Sequence, residues 1–558
     1  MQCQLRNSAS LFRIGLLLGG LSAAFLPAAA FAGLFEDSVS GNVSTSETAS
    51  TASEETASEQ SAAASTDGEG EGGDASAESG AAAEPTVVER IIERTGLDFD
   101  FNGHLRGDLF IGKMPEYSRV EIKNGYGELG LKLKVSKGSY GSAFGEVRFQ
   151  GGYLNNEHYL GQPTNAAAGG TDIGEFDTKI KLREAYATAY IGSHFDLKFG
   201  YQIIVWGRAD GINPTNNLTP IDMRVRSAEE DDRRLGNLAL RMNLNFSPVR
   251  IEGVWVPFYS ASYFPKINLA DSIVFADPKY PNMDISKGTY AAKIHLLLPQ
   301  IEMSFSYLYG YSLQPTLSFV SHNFDDAARD AAQVTVARTA YQHHVAGFDF
   351  STVIAGSVGM RGELAFKYPV NFKQWEAPFS QDDIKSNVAI PNPELYYVFG
   401  LDKEFGNVML LAQYIGKSIL KWQDEPESIP GIELDLNNLD QSLEDAGGAV
   451  TDSSIAYIVY RELTLKNRLI QGQTKQYQHG VSARIEWKGL HDTLSLSAFG
   501  MVNVSTKEWL VYPKIGYSIT DAMQLTVGAE VYQGPSESLF GYIEEILTAG
   551  YTELKITF

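Results

Sequence analysis

The chain has one cysteine, Cys3, and that residue lies ahead of the first apolar run. Arg6 and Arg13, the apolar stretch Ile14 to Leu26 and the small-x-small triplet Ala30-Phe-Ala32 read together as a secretory signal peptide over 1–32. A chain cleaved near Ala32 keeps no thiol, which excludes disulfides, thiolate metal sites and a cysteine nucleophile. Long apolar runs are also missing. Beyond the leader no stretch of about twenty apolar residues could form a membrane-spanning helix. Basic residues are absent from 33–86, which carries twelve acidic residues and almost no aliphatic bulk. Such a segment cannot bury enough apolar surface to offset its ordering entropy, so 33–84 is expected to be a disordered acidic linker. The linker accounts for much of the formal charge of −23, and the acidity of the chain therefore says little about a substrate. As a solvated spacer it needs no partner; as a docking segment it would meet a periplasmic protein or the cell wall.

Recognisable catalytic patterns are lacking too. The nine histidines are scattered, and only His343-His344 stands out. These two begin a strand pattern, and neighbours on a strand point to opposite faces, so they cannot share one site. No Gly-x-Ser-x-Gly elbow, His-Glu-x-x-His pair or phosphate loop occurs. No enzyme activity, cofactor, resident metal or nucleic-acid partner is expected.

What the chain does have is alternation. In the last strand Thr552, Leu554, Ile556 and Phe558 oppose Tyr551, Glu553, Lys555 and Thr557. In 522–532, Met523, Leu525, Val527, Ala529 and Val531 oppose Gln524, Thr526, Glu530 and Tyr532. A period of two means strands, and the pattern recurs eighteen times between 98 and 558. Short turns at Lys137-Gly138, Gly192-Ser193, Ser247-Pro248, Pro299-Gln300, Gly356, Gly406, Gly489-Leu490 and Thr520-Asp521 mostly alternate with long connections. Those long stretches are 154–177, 204–235, 259–286, 313–339, 370–393, 419–472 and 533–548. A soluble β-sandwich has no reason to put its long loops on one side, whereas a membrane barrel does. The expected fold is all-β: a transmembrane antiparallel β-barrel of about eighteen strands (range 16–18) over 97–558, preceded by a short amphipathic helix at 85–96. Apolar faces would meet outer-membrane lipid and polar faces a lumen, since lipid offers no hydrogen bonds. Strand count of this order leaves room for a water-filled passage. Tyr186, Tyr190, Tyr201, Phe258 and Tyr259 fit interfacial girdles.

The most distinctive run is Val205-Trp-Gly-Arg-Ala-Asp-Gly-Ile-Asn-Pro-Thr-Asn-Asn-Leu-Thr-Pro220, in the third outer loop. Its glycines and prolines are turn formers, which points to an ordered loop. Here the chain resembles general and substrate-specific Gram-negative porins, whose third loop folds into the lumen and narrows it. Leu197 to Ile203, Trp206-Gly-Arg-Ala-Asp210, Asn213-Pro-Thr215 and Trp255-Val-Pro-Phe258 resemble more closely a family of uncharacterised outer-membrane barrels distantly similar to alginate-export porins. That closer likeness covers roughly 180–260. The resemblance implies an outer-membrane channel inserted by the barrel-assembly machinery, with an unidentified small-molecule solute.

Arg208, Asp210, Asn213, Thr215 and Asn216 are candidates for a pore constriction, where a few polar groups in a narrowed path set selectivity. Alternatively Arg208 and Asp210 pair with wall charges and pin the loop. Glu229-Glu-Asp-Asp232 with Arg233-Arg234 reads as a solvated loop, with divalent-cation binding as the other possibility. Arg148, Lys179, Lys181, Arg183, Lys198 and Arg241 fall on the inferred lumen face and form a basic wall that could favour anions, although Glu146, Glu252 and Glu363 share similar faces. The 419–472 connection is long and acidic enough to plug the lumen, which would make the chain a gated receptor or export component. Phe558 is the expected residue of barrel closure and assembly.

Overall fold

A computed structural model describes residues 95–114, 117–153, 177–263, 273–323, 333–372, 390–424, 452–536 and 538–558. The signal peptide, the acidic linker and all but the last two residues of the expected 85–96 helix lie outside the described residues.

The chain forms one closed antiparallel barrel of eighteen strands. In order these are β1 (Asp98–Met114), β2 (Tyr117–Lys137), β3 (Gly141–Tyr153), β4 (Asp177–Ile191), β5 (Phe195–Gln202), β6 (Asn237–Phe246), β7 (Val249–Val256), β9 (Thr289–Leu297) and β10 (Ile301–Tyr311). The circuit continues with β13 (Gln342–Ile354), β14 (Val358–Pro369), β15 (Glu394–Phe405), β16 (Val408–Ile419), β17 (Tyr477–Gly489), β18 (Leu494–Asn503), β19 (Glu508–Thr520), β20 (Met523–Gln533) and β21 (Ala549–Thr557). Each strand pairs with its neighbours in chain order. The circuit closes where β21 pairs with β1, from His104 opposite Thr557 to Ile111 opposite Gly550. At the seam Phe558 and Gly103 exchange both backbone hydrogen bonds, at 2.8 and 3.0 Å. Closure leaves no edge, which is the condition for a sheet in lipid.

All eighteen expected strands are present, with ends displaced by up to four residues; β17 begins at Tyr477 where the pattern suggested 473. The two faces separate as the alternation requires. Phe101, Leu105 and Ile111 project outward and are exposed, whereas His104, Arg106, Asp108 and Phe110 on the same strand are buried. Tyr140 and Tyr517 at the short-turn end, and Tyr290 and Tyr477 at the loop end, stand on the exposed outer surface. Two of the girdle assignments fail. Tyr186 lies on the polar face with the Lys198 ammonium 4.2 Å from its ring centre. Tyr259 donates to the Ser312 carbonyl and packs its ring on Tyr280 and Tyr311.

The long outer connections contain more structure than turn chemistry indicated. Short β8 (Ile273–Phe275) pairs parallel to β12 (Gln333–Thr339), which pairs antiparallel to β11 (Thr316–Asn323). Within the 419–472 connection, helix α1 (Asp452–Ile470) rests on that small sheet. Its Asn467 amide group accepts from Leu317 N at 2.7 Å and donates to Leu317 O at 2.8 Å. Of the acidic residues that make this connection a candidate plug, Asp424 is described, whereas Glu425, Glu427, Glu433 and Asp435 lie outside the described residues. In the last connection, α2 (Leu539–Leu547) is capped by the Ser538 hydroxyl, which accepts from Gly541 N. It buries Phe540, Ile543 and Leu547, spaced i, i+3, i+7 on one face.

Candidate functional site

The chain between β5 and β6, residues 203–236, leaves the wall and binds side chains on the polar face of strands distant in the circuit. Its start is anchored locally: Thr219 Oγ1 accepts from Ile204 N and donates to Ile204 O at 2.9 and 2.6 Å. Trp206 Nε1 donates to Glu252 of β7 at 3.0 Å. Gly207 has φ +119, and any Cβ there would collide with the Asn213 and Glu363 side chains. Only glycine allows this turn, which brings the next residues against β13 and β14.

The tip is held by a buried carboxylate. Glu363 on β14 accepts from the backbone N–H groups of Arg208, Ala209 and Thr215, and from the Thr215 hydroxyl at 3.1 Å. Four donors on one carboxylate satisfy backbone groups that would otherwise be buried without partners. Arg208 donates to Asp349 at 2.9 Å and to Glu302 at 2.6 Å. Asp210 receives Arg484 Nε of β17 at 2.8 Å, and Gln413 of β16 bonds both its N–H and its carbonyl. Burial pushes the Asp210 carboxyl above the usual carboxylate range, while Arg484 pulls the other way. Around these polar links lies an apolar cluster. Ala209 and Ile212 of the loop join Tyr396, Val398, Ile415, Phe499, Leu510 and Tyr532 of the wall and the buried face of α2.

The second half of the loop docks on the opposite stretch of the circuit. Asp232 receives Arg106 of β1 at 2.6 Å and the Ser227 hydroxyl at 2.5 Å, and it pairs with Arg148 of β3. Burial alone would raise this carboxyl, but Arg106, Arg148 and Arg183 hold it well below the usual range. Arg106 also reaches Glu128 at 2.8 Å and Glu553 at 3.4 Å. Arg226 and Arg233 converge on Glu530 of β20 at 3.5 and 3.3 Å, and Lys555 of β21 pairs with Glu229. The expected solvated acid-base cluster is therefore a correction: Asp232, Arg233 and Arg234 are buried, at 9%, 1% and 8% exposure. Sequence reading missed their partners because Arg106, Glu128 and Glu553 lie far away along the chain. The available signal was charge placed mid-strand on a polar face, which a barrel must neutralise.

The five constriction candidates do come together at the tip, but they do not share one environment. Asp210, Asn213 and Thr215 are buried, whereas Arg208 and Asn216 keep partial exposure. Of the basic wall, Arg148 faces Glu146 at 2.7 Å, Arg241 faces Glu252 at 2.9 Å, and Arg183 donates to the Asp231 carbonyl at 2.6 Å. Lys179, Lys181 and Lys198 lie on the same faces of β4 and β5, all partly buried. His343 is buried, whereas His344 meets the Tyr307 hydroxyl at 2.7 Å on the outer face, so the pair does split. Among the described residues no cluster of His, Cys, Asp and Glu could hold a metal ion.

Residues 12–530 match a family described as a protein of unknown function, DUF1302. The chain belongs to that family. No curated protein matches it. Among solved structures it is similar to OccAB3 of Acinetobacter baumannii, at 12% identity and TM-score 0.45, over 83% of this chain and 99% of that one. It is also similar to OccK9 (OpdG) of Pseudomonas aeruginosa, at 10% identity and TM-score 0.44, over 83% and 98%. A third is OpdK of P. aeruginosa, solved with vanillate, at 11% identity and TM-score 0.44, over 83% and 98%. The vanillate belongs to that protein.

Proposed function

We propose that this member of the DUF1302 family is a channel of the Gram-negative outer membrane through which small polar solutes diffuse. Its lumen is narrowed by the inward-folded third outer loop. The observation that carries the reading is the double anchoring of residues 203–236, by Glu363, Asp349 and Arg484 on one side and by Arg106, Arg148 and Glu530 on the other. A segment bound to opposed stretches of a closed wall crosses the interior. An eighteen-strand barrel without such a strap would be wide open.

Arg208 and Asn216, the partly exposed members of the tip, are the groups that a passing solute meets; Asp210, Asn213 and Thr215 shape the loop beneath them. The carboxylates facing Arg148 and Arg241 weaken an anion preference set by these arginines. Planar-bilayer recording tests the reading: the folded barrel conducts ions, and neutralising Lys179, Lys181 and Arg183 together moves the anion-to-cation permeability ratio toward cations. An unchanged ratio removes the basic wall from the account. A folded barrel with no ion current overturns the open channel and favours a plugged receptor or export component working with a periplasmic partner.

A further inference from the structure

At the level of the third loop, wall charges on opposed stretches of the circuit are shut off from water. Glu128, Glu252, Lys293, Asp349, Glu363 and Glu530, on β2, β7, β9, β13, β14 and β20, lie between 0% and 4% exposed. Charged groups on the wall of an open passage this wide would face water. The loop is what covers them. Trp206 bonds Glu252 at 3.0 Å, and its ring centre lies 5.6 Å from the Lys293 ammonium. Arg208 reaches Asp349 at 2.9 Å, Ala209 N reaches Glu363 at 2.7 Å, and Arg233 reaches Glu530 at 3.3 Å. Glu128 is closed over by Arg106, which grips Asp232 of the loop. On the β4–β6 stretch, Arg183 and Arg241 keep 13% and 15% of their side chains exposed. A solute passes a section filled in this way when part of the loop moves.

The loop divides into two pieces with unlike attachments. Residues 222–236 fold back on the chain before them: Asp222 N donates to Arg233 O at 2.7 Å, and Leu235 N to Pro220 O at 2.8 Å. Five ion pairs then bolt this piece to β1, β3, β20 and β21 or hold it to itself: Asp232 with Arg106 and Arg148, Glu530 with Arg226 and Arg233, and Glu229 with Lys555. Separating such pairs leaves several buried charges without partners. Residues 207–217 form the other piece, joined through a neck. The Thr219 hydroxyl bonds both backbone groups of Ile204, and Asn237 of β6 donates to Leu218 O at 2.9 Å. Beyond the neck this leaf is held mainly by neutral backbone groups on Glu363 and Gln413, with Asp210–Arg484 and the Arg208 pairs. Glycines at φ +119 and +73, Gly207 and Gly211, give its backbone turning freedom. As the leaf swings away, water replaces the bonds of its N–H groups and of Glu363.

We infer that residues 207–217 are a gate leaf, hinged at the Ile204–Thr219 neck, which closes the lumen in this structure and swings aside for each passage while residues 222–236 stay fixed. The inference rests on the channel reading proposed above and adds that the channel is gated by its own loop.

Two measurements on the full barrel test it, with Cys3, the one native cysteine, replaced by serine. A Cβ built on Gly347 of β13 lies 3.5 Å from the Thr215 Cβ, a spacing that a disulfide spans. Thr215→Cys with Gly347→Cys therefore locks the leaf to the wall; Ser306→Ala removes the hydroxyl that the new side chain meets. The oxidised pair is expected to lose open-channel current and arabinose-driven liposome swelling, and to regain both in dithiothreitol. Single cysteines give the second measurement, which needs no lock. Thr215 and Ser227 are 3% and 2% exposed, one in the leaf and one in the fixed piece. In the folded barrel, followed by its heat-modifiable band, a charged methanethiosulfonate should label Thr215→Cys and leave Ser227→Cys unlabelled. Equal labelling of the two sites overturns the leaf. Native current and swelling in the oxidised pair overturn the gate and leave the channel reading standing. A native barrel that passes neither ions nor arabinose overturns the channel reading and the gate with it.

Discussion

On the β1–β3 and β20–β21 side of the barrel, Arg106, Arg148 and Arg233 hold the third loop through Asp232 and Glu530. On the β15–β19 side the same loop inserts Ala209 and Ile212 among Phe499, Ile415 and Leu510, with α2 packed behind. One half is a network of buried charges and the other is an apolar core stitched by Asp210–Arg484 and the Glu363 carboxylate. The difference shows two ways to fix irregular backbone against a barrel wall. Charge pairing fixes direction and is sensitive to losing one partner. Apolar burial is tolerant of detail and scales with area.

Substitutions should separate the halves. The largest effect is expected at the closing seam in the charged half: Phe558→Asp should block insertion of folded barrel while export continues, seen as loss of the heat-modifiable band. Next, Arg106→Met leaves Asp232, Glu128 and Glu553 without their shared cation and should destabilise by about 3–5 kcal/mol. Urea unfolding would read this, with part of the loss recovered at acid pH as these carboxylates protonate, Asp232 last because Arg148 still faces it. Phe540→Ala in the apolar half should cost about 3–5 kcal/mol, with no recovery on acidification. If the two variants respond alike to pH, the contrast between the halves fails.

A smaller effect separates the two anchors of the loop by pH. Burial raises the Asp210 carboxyl, so the folded protein takes up this proton more readily than the unfolded chain, and the neutral form is favoured as pH falls. Asp232 is held well below its ordinary value, so its contribution is complete above about pH 4 and is lost only as pH falls further. Mild acidification should therefore loosen Asp210–Arg484 first and raise conductance while the Asp232 anchor holds. Asp210→Asn should abolish that response in bilayer recordings.

The barrel was legible because a two-residue period repeats through it, and the seam at Phe558 followed from the same alternation. The third loop was legible as ordered from Gly207, Gly211, Pro214 and Pro220. Its anchors were not: Glu363 is about 150 positions from Ala209, and no local pattern joins them. The outer elements were missed for different reasons. Helix α2 carries readable signals, a Ser538 cap and an apolar stripe, within the long connection 533–548. The β8–β11–β12 sheet is made of short strands whose pairing depends on contacts distant in sequence. The acid-base run at 229–234 looked solvated because its counter-charges come from other strands.

Single-channel conductance of an Arg208→Ala, Asp210→Ala double variant tests the central claim, that the third loop straps the lumen from both walls. These changes remove the bonds to Asp349, Glu302 and Arg484 and leave the Arg106–Asp232 anchor in place. The account predicts a folded barrel with higher conductance than the native chain. A folded variant of unchanged conductance would contradict it.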